Sequence, residues 1–147
     1  MLSEVHNRYV AKELLASNER TAIYGIVLSE QDCKEIAECR SQLLMETERI
    51  EIGTGAARRI IEEFCDCSYV DPRNFKDTVA GLLECFYTIK NETEDTISDD
   101  KVLRFIRLVF ETEAGGDVAA IYNTDAFETF IRTGTFDYVA YEKKLYQ

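Results

Sequence analysis

Histidine, proline and glycine are scarce in this chain, and tryptophan is absent. Its 147 residues include one histidine, His6, one proline, Pro72, and seven glycines. Sandwiches and barrels need many turns, and turns depend on glycine and proline, so this composition argues against an all-β fold. It also argues against a long disordered linker. Helices are the simplest structure for such a chain.

The shortage of histidine also bears on catalysis. Histidine is the usual general base beside a nucleophilic serine or cysteine, and His6 lies in a weakly patterned segment near the amino terminus. Carboxylate pairs such as Glu62 and Glu63 fall on exposed helical faces, where solvated acids are ordinary. The sequence therefore nominates no catalytic residue.

Basic regions and long apolar runs are missing as well. The net charge is −11, from 28 acidic and 17 basic side chains, and the acids are spread evenly along the chain. Neither half offers a basic face for phosphates, so we expect binding to neither nucleic acid nor an anionic membrane. The longest apolar run is far below the roughly 20 residues of a membrane-spanning helix. The acidity predicts solubility first, and a basic partner or mimicry of nucleic-acid charge second.

The cysteine count favours a reducing compartment. Five cysteines cannot form a complete set of internal disulfides, and no signal peptide precedes residue 20, so a cytoplasmic location is expected. Cys65 and Cys67 have one intervening residue, whereas zinc sites commonly use roughly two to four. On a helix the two thiols would point about 200° apart. We expect Cys33, Cys65 and Cys85 to be buried packing residues, with no metal and no cofactor.

Helix-start residues precede several stretches whose apolar residues recur every three or four positions. The clearest of these predicted helices spans 30–51. Ser29 and Asp32 form a capping box at its start, and Gly53 ends it. Its inward face comprises Cys33, Ile36, Ala37, Leu43, Leu44, Thr47 and Ile50.

Further serine, threonine and aspartate caps predict further helices. These run from Thr54 to Phe64 or Cys65, over 72–90 after Asp71 and Pro72, over 98–113 after Ser98, and from Asp117 to Arg132 before Gly134. The segment 21–28, rich in β-branched residues and interrupted by Gly25, is expected to be ordered but extended.

These stretches predict an all-α fold, a compact orthogonal bundle of five to six helices in a single domain over 1–147. The 98–113 helix is apolar nearly all the way round, so we expect it at the centre, with the 30–51 and 72–90 helices packed against it. A weak helix is predicted over 3–17, and the tail after Gly134 is either a short helix or disordered. The least defined parts are therefore 1–20 and 135–147.

The segment 53–59, GTGAARR, is a candidate ligand site. The start of a helix offers free amide hydrogens to an anion, and two arginines in its first turn would add charge. The candidate ligand-binding residues are Gly53, Thr54, Gly55, Arg58 and Arg59. The segment lacks the third glycine of a dinucleotide fingerprint and the lysine of a phosphate-binding loop. A plain turn between two helices is the favoured interpretation, with Arg58–Glu62 and Arg59–Glu63 as solvent-side pairs.

An acidic cluster is a weaker candidate for a cation site. Its members are Glu92, Glu94, Asp95, Asp99 and Asp100. The cluster lacks the glycine and the ligand spacing of a helix-loop-helix calcium site, so a solvated loop is expected and no metal is assigned.

Several short strings carry a resemblance to a known family. They are Tyr24-Gly25, Leu28-Ser29, Arg49-Ile50-Glu51-Ile52-Gly53, Phe64-Cys65-Asp66, Phe86-Tyr87, Lys90-Asn91-Glu92 and Ile97-Ser98-Asp99-Asp100. Over roughly residues 22–133 the chain resembles a bacterial family of short acidic proteins of unknown function. The resemblance implies a bacterial, cytoplasmic origin and carries no activity, substrate or catalytic residue.

Three classes of function remain, in order of preference. The first is a non-catalytic protein–protein interaction or accessory module, which a helical chain without a catalytic set favours, acting through a protein partner or self-association. The second is a small-molecule or anion-binding module that uses Gly53 to Arg59 with Tyr87 or Tyr122. The third is an enzyme of unrecognised type, which would show clustered acids in a partly buried, concave site.

Overall fold

The computed structural model describes residues 2–146, with side chains from Glu4 onward, and 68% of the chain is helical. No strand occurs in this part of the chain, so the all-α class is confirmed. The α-helices are α1 (Leu2–Leu15), α2 (Asn18–Thr21), α3 (Glu30–Glu46), α4 (Ala56–Phe64), α5 (Phe75–Glu92), α6 (Asp99–Glu111), α7 (Val118–Ile121), α8 (Asp125–Thr133) and α9 (Tyr138–Leu145). None of these described helices combines the length and apolar character needed to cross a membrane.

The predicted count of five to six helices is too low, partly because the stretch from Asp117 to Arg132 is broken. The side chain of Asp117 accepts a hydrogen bond from the Ala119 amide at 3.0 Å and begins α7. Thr124 Oγ1 then accepts from the Phe127 amide at 3.1 Å and begins α8. Two caps seven residues apart leave room for only one turn before the restart. Gly134, with a φ of 72°, ends α8 as predicted.

The segment 21–28 is not extended throughout. Thr21 ends α2, and Ala22–Tyr24 form a 3₁₀ turn, so only the residues just before α3 lack helical structure. The side-chain amide of Asn18 donates to the Leu28 carbonyl oxygen and accepts from the Leu28 amide, each at 2.8 Å. These two hydrogen bonds hold Leu28 beside Asn18 of α2. The β-branched composition of the segment could not predict them.

Helix α3 begins as predicted and ends earlier. Ser29 and Asp32 form the expected capping box. At the other end, the Arg49 amide donates to the Leu44 carbonyl oxygen at 2.8 Å and the Glu48 amide to that of Met45 at 3.2 Å. These are the bonds of a Schellman motif, with Glu48 in the left-handed conformation at a φ of 54°. The predicted end at Gly53 is wrong because a glutamate, not a glycine, takes the left-handed position.

The start of α5 also differs from the prediction. Asp71 and Pro72 form a turn ahead of the helix, in which Asp71 Oδ1 accepts from the Arg73 amide at 2.9 Å. The Asn74 amide donates to the Asp71 carbonyl oxygen, and helical structure begins at Phe75. The aspartate therefore closes a local turn instead of capping the helix.

The helices fall into two units, one up to Glu84 and one from Cys85, with the division inside α5. In the first unit, α1 packs along α3, and α4 contacts α1, α2 and α3. Its core consists of aliphatic and aromatic side chains, among them Val10, Leu14, Ile36, Ala37, Ile60, Ile61, Phe64 and Val79. A single domain over 1–147 stays a prediction.

In the second unit, α6 is buried on most sides, as its composition predicts. Seven of its side chains are buried: Val102, Leu103, Phe105, Ile106, Leu108, Val109 and Phe110. The ring of Phe105 stacks on that of Phe130, with the ring centroids 4.0 Å apart, and lies edge-on to the ring of Phe136, with the centroids 4.8 Å apart. The carboxyl-terminal tail is ordered as α9, which contacts α6. An ion pair between Arg104 and Glu142 joins these two helices.

Candidate functional site

A buried arginine anchors the loop that precedes α4. Arg40, on the inward face of α3, is fully buried. Its Nη2 donates to the Gly53 carbonyl oxygen at 2.9 Å and to Glu51 Oε1 at 3.3 Å. Its Nη1 lies 3.5 Å from His6 Nε2. Because a buried guanidinium is costly without partners, these contacts hold residues 51–53 against α3.

The carboxylate of Glu51 lies against the start of α4. Gly55, which precedes the helix, has a φ of 55° and a ψ of −137°, a combination that residues with a side chain rarely adopt. A Cβ at this position would overlap the Glu51 carboxylate and lie 3.4 Å from Arg40 Nη2. The backbone conformation therefore favours glycine at residue 55, and a larger residue would also have to displace the Glu51 carboxylate. The carboxylate in turn places negative charge at the positive end of the α4 dipole.

The residues predicted to bind an anion meet at this same turn. Gly53, Thr54 and Gly55 form the turn, and Arg58 and Arg59 lie in the first turns of α4. Thr54 does not cap the helix as predicted; its carbonyl oxygen accepts from the Ala57 amide at 3.2 Å, and Gly55 stands at the capping position without a side-chain bond.

The two arginines are engaged within the protein. Arg58 Nε lies 3.2 Å from Glu62 Oε1, and Arg59 Nε lies 2.9 Å from Glu63 Oε2, which confirms the two predicted pairs. The internal carboxylate of Glu51 lies beside Gly55, where an external anion would bind. Anion binding by the five predicted residues stays a prediction, and it would require an anion to compete with Glu51.

Two isoleucines of the anchored loop face solvent. Ile50 and Ile52 are each 96% exposed, whereas the side chain of Glu51 between them is only 21% exposed. The sequence prediction placed Ile50 on the inward face of a helix over 30–51, and this is wrong because α3 has already ended at Glu46. Because Arg40 binds the Glu51 side chain on the inner side of the loop, the side chains of Ile50 and Ile52 point outward.

Sequence reasoning missed Arg40, although its spacing gave a signal. Arg40 follows Ile36 by four residues and precedes Leu44 by four, so it lies on the same face as these buried side chains. An arginine on the inward face of an amphipathic helix needs a buried acceptor. Only the folded structure shows that this acceptor comes from Glu51 and Gly53.

The acidic cluster after α5 contains its own cation. Lys90 is buried, and its Nζ donates to the Ile97 carbonyl oxygen at 2.7 Å. The same atom lies 2.8 Å from Asp99 Oδ1 and 3.8 Å from Asp95 Oδ1. The Lys90 ammonium therefore offsets the charge of two of the five acids in the cluster. Over the described residues, no group of three or more histidine, cysteine or acidic side chains is placed to hold a metal ion.

The cysteines behave as packing residues. Cys33, Cys65 and Cys85 are buried, as predicted, and so is Cys67. Burial, with a smaller effect from Asp32, raises the pKa of the Cys33 thiol to about 11. Burial also raises the pKa of Cys65. Because the thiolate is the reactive form, both thiols are poor nucleophiles near neutral pH.

The two tyrosines proposed beside the anion site pack against other aromatic rings. Tyr87 is fully buried and meets the ring of Phe86 edge-on, with centroids 5.1 Å apart. Tyr122 is half-buried and lies 5.1 Å from the ring of Phe127. Both therefore contribute to packing within the second unit.

Comparison with known proteins identifies a family. A family model described as "Family of unknown function (DUF6323)" matches residues 13–137, from the second half of α1 to the residue before α9. No curated protein and no solved structure matches the chain.

Proposed function

Because this chain belongs to that family of unknown function, we propose its role from its own residues: a non-catalytic protein–protein interaction module that docks a partner on Ile50 and Ile52. The observation that carries the proposal is the 96% exposure of both isoleucines on a loop fixed by a buried ion pair. Exposed apolar residues on a mobile loop would be unremarkable, but here Arg40 prevents them from folding inward. A fixed apolar pair is a preorganised contact surface.

The backbone around the pair favours a partner in extended conformation. Residues 49–51 have no helical structure, and the exposure of 49–52 alternates as it does along a strand. Within the described part of the chain, neither Ile50 nor Ile52 forms a hydrogen bond with another residue. Their amide and carbonyl groups can therefore pair with an added strand while their side chains contact alternate residues of that strand.

Charge selects the kind of partner. Glu46 and Glu48, just before the pair, are exposed, and the whole chain carries a net charge of −11. A second acidic copy or an acidic segment would be repelled, whereas lysine or arginine on either side of an apolar strand would be attracted. The proposed occupant is a partner segment of β-branched residues flanked by basic ones.

Two synthetic peptides test this proposal. One alternates valine and threonine between terminal lysines, and the other replaces the lysines by glutamates. Nuclear magnetic resonance should show shifts of the amides of 48–54 with the lysine peptide and none with the glutamate peptide. The I50S/I52S variant should lose the shifts, and the control I23S/V27S, which removes two other exposed β-branched residues, should keep them. Equal binding by I50S/I52S would refute the docking surface.

We also propose a reducing, cytoplasmic setting. All five cysteines are free thiols, and four of them are buried. An oxidising compartment would favour disulfides in a chain with this many cysteines. Cell fractionation with an antibody to the chain should find it with cytoplasmic markers; recovery in a secreted fraction would contradict the proposal.

A further inference from the structure

A groove between α1 and α3 is lined by charged side chains that have no ion-pair partner among the described residues. The groove encloses about 490 Å³, within the range of small-molecule sites. The two helices are antiparallel, because His6 lies beside Arg40 at one end and Asn18 brackets Leu28 at the other. The groove therefore runs along both helices with the amino-terminal part of α1 beside the carboxyl-terminal part of α3.

Three cations line the groove: Arg8 and Lys12 from α1 and Lys34 from α3. None of them forms an ion pair or hydrogen bond with any described residue. In contrast, Arg58 and Arg59 each pair with a glutamate one turn away. Lys34 lies four residues from both Glu30 and Glu38, yet it pairs with neither. The three exposed side chains are therefore available to an external anionic group.

Carboxylates line the same groove on both sides of Lys34. Glu30 and Glu38 flank it on α3, and Glu4 lies on α1. These acids also lack ion-pair partners among the described residues. A purely anionic ligand would be repelled by the carboxylates, and a purely cationic one by Lys12 and Lys34. A ligand with both charges, spaced along the groove, satisfies both sets.

The surface between the charges is apolar, with one buried polar atom. Ala11 and Leu15 line the groove and are half-buried. Asn7 Oδ1 is buried and has no hydrogen-bond partner in the described structure. A buried acceptor without a donor is costly. The surface of the groove that an apolar ligand group can contact is therefore that of Ala11 and Leu15.

We propose that this groove binds a zwitterionic ligand with a free ammonium and a free carboxylate, a short peptide or an amino acid with an apolar side chain. The carboxylate binds Lys12 and Lys34, the ammonium binds Glu30 or Glu38, and the apolar part lies on Ala11 and Leu15. This site is independent of the isoleucine pair. Most of its α1 side, from Glu4 to Lys12, precedes the residues that the family model matches.

Calorimetry with blocked and unblocked probes tests the proposal. The probes are alanyl-leucyl-alanine, its N-acetylated form, its carboxyl-amidated form, and leucine. The unblocked peptide should bind at about millimolar concentration or below, and each block should weaken binding about tenfold, as expected for loss of one charge-assisted contact. If leucine binds as tightly as the peptide, the ligand is an amino acid; if only the peptide binds, it is a peptide.

Matched variants connect the affinity to the groove. K12Q/K34Q should weaken binding of the unblocked peptide about tenfold and remove the preference over the amidated form. E30Q/E38Q should remove the preference over the acetylated form. The control K101Q/K143Q makes the same change in charge on two exposed lysines of the second unit and should bind as the wild type does. All three should unfold at nearly the wild-type temperature.

Two results would overturn the proposal. One is the absence of binding by both the unblocked peptide and leucine. The other is an unchanged affinity of K12Q/K34Q, which would place any binding elsewhere. Neither result affects the isoleucine surface, which is tested with different peptides and different variants.

Discussion

Arg40 Nη2 lies 3.3 Å from Glu51 Oε1, and this contact joins the fully buried Arg40 of α3 to the loop that follows the helix. The same nitrogen holds the Gly53 carbonyl oxygen at 2.9 Å. One guanidinium therefore fixes the end of α3 relative to the start of α4. It decides which way Ile50 and Ile52 point, and the proposed docking surface depends on it.

Replacing Arg40 by methionine should lower the free energy of unfolding by about 2–4 kcal/mol. Breaking the ion pair leaves a desolvated carboxylate and an unpaired carbonyl oxygen behind. Because Glu51 is 21% exposed, we expect the loss of stability to stay below the largest values found for buried ion pairs. Chemical denaturation measures it. R58M, at a partly exposed arginine, is the control and should change stability by less than about 0.5–1 kcal/mol. A loss in R40M no larger than in R58M would contradict the anchoring role.

The G55A variant should be less stable than wild type by about 2 kcal/mol or more. Its Cβ would overlap the Glu51 carboxylate in addition to the strained backbone. G25A is the matched control, since Gly25 has a φ of 80° and open space around the new Cβ, so backbone strain alone should cost about 1 kcal/mol. Equal losses in the two variants would show that Glu51 moves away freely.

Glu48→Gly should raise the free energy of unfolding by about 0.5 kcal/mol. A left-handed glutamate costs about 1–2 kcal/mol, and the extra freedom of glycine in the unfolded chain cancels about 0.5–1 kcal/mol of that gain. E38G, in the middle of α3, should instead lose about 1 kcal/mol. Destabilisation by E48G would argue against a Schellman motif at this end of α3.

Truncating Ile106 to alanine should cost about 2–5 kcal/mol, the range for large-to-small core substitutions. Ile106 is fully buried in α6. I50A removes the same atoms from a side chain that is 96% exposed and should change stability by less than about 0.5 kcal/mol. F105A should also be strongly destabilising because its ring stacks on Phe130. A silent I106A variant would show that α6 is peripheral.

Stability should fall above pH 9 partly because of Cys33. The folded protein raises the pKa of this thiol from its ordinary value of 9.0 to about 11, so the unfolded chain releases the proton first as pH rises. The neutral thiol's contribution is complete below pH 9 and decreases between about pH 9 and 11. C33A should therefore lose less stability than wild type over that interval. Parallel curves for the two proteins would contradict this, as would fast labelling of Cys33 by a thiol reagent at pH 8.

The sequence determined the features that depend on contacts within one turn of helix. Ser29 with Asp32, Ser98, Asp117 and Gly134 each occupy the predicted terminal position. The apolar circumference of α6 and the burial of three cysteines were also readable. These features follow from bonds and periodicities that span three or four residues, so the local sequence contains all the information.

Only the tertiary structure decided where α3 ends and what the loop after it exposes. The apolar pattern continues to Ile50, so the pattern alone predicts a longer helix in which Ile50 is buried. In the folded chain, Arg40 instead finds its acceptors at Glu51 and Gly53, eleven and thirteen residues further on. Pairing the charge of a buried guanidinium outweighs burying one isoleucine, because the uncompensated charge would cost more than the apolar contact gains. This balance of energies depends on groups that folding brings together, so the residue pattern of the helix cannot predict it.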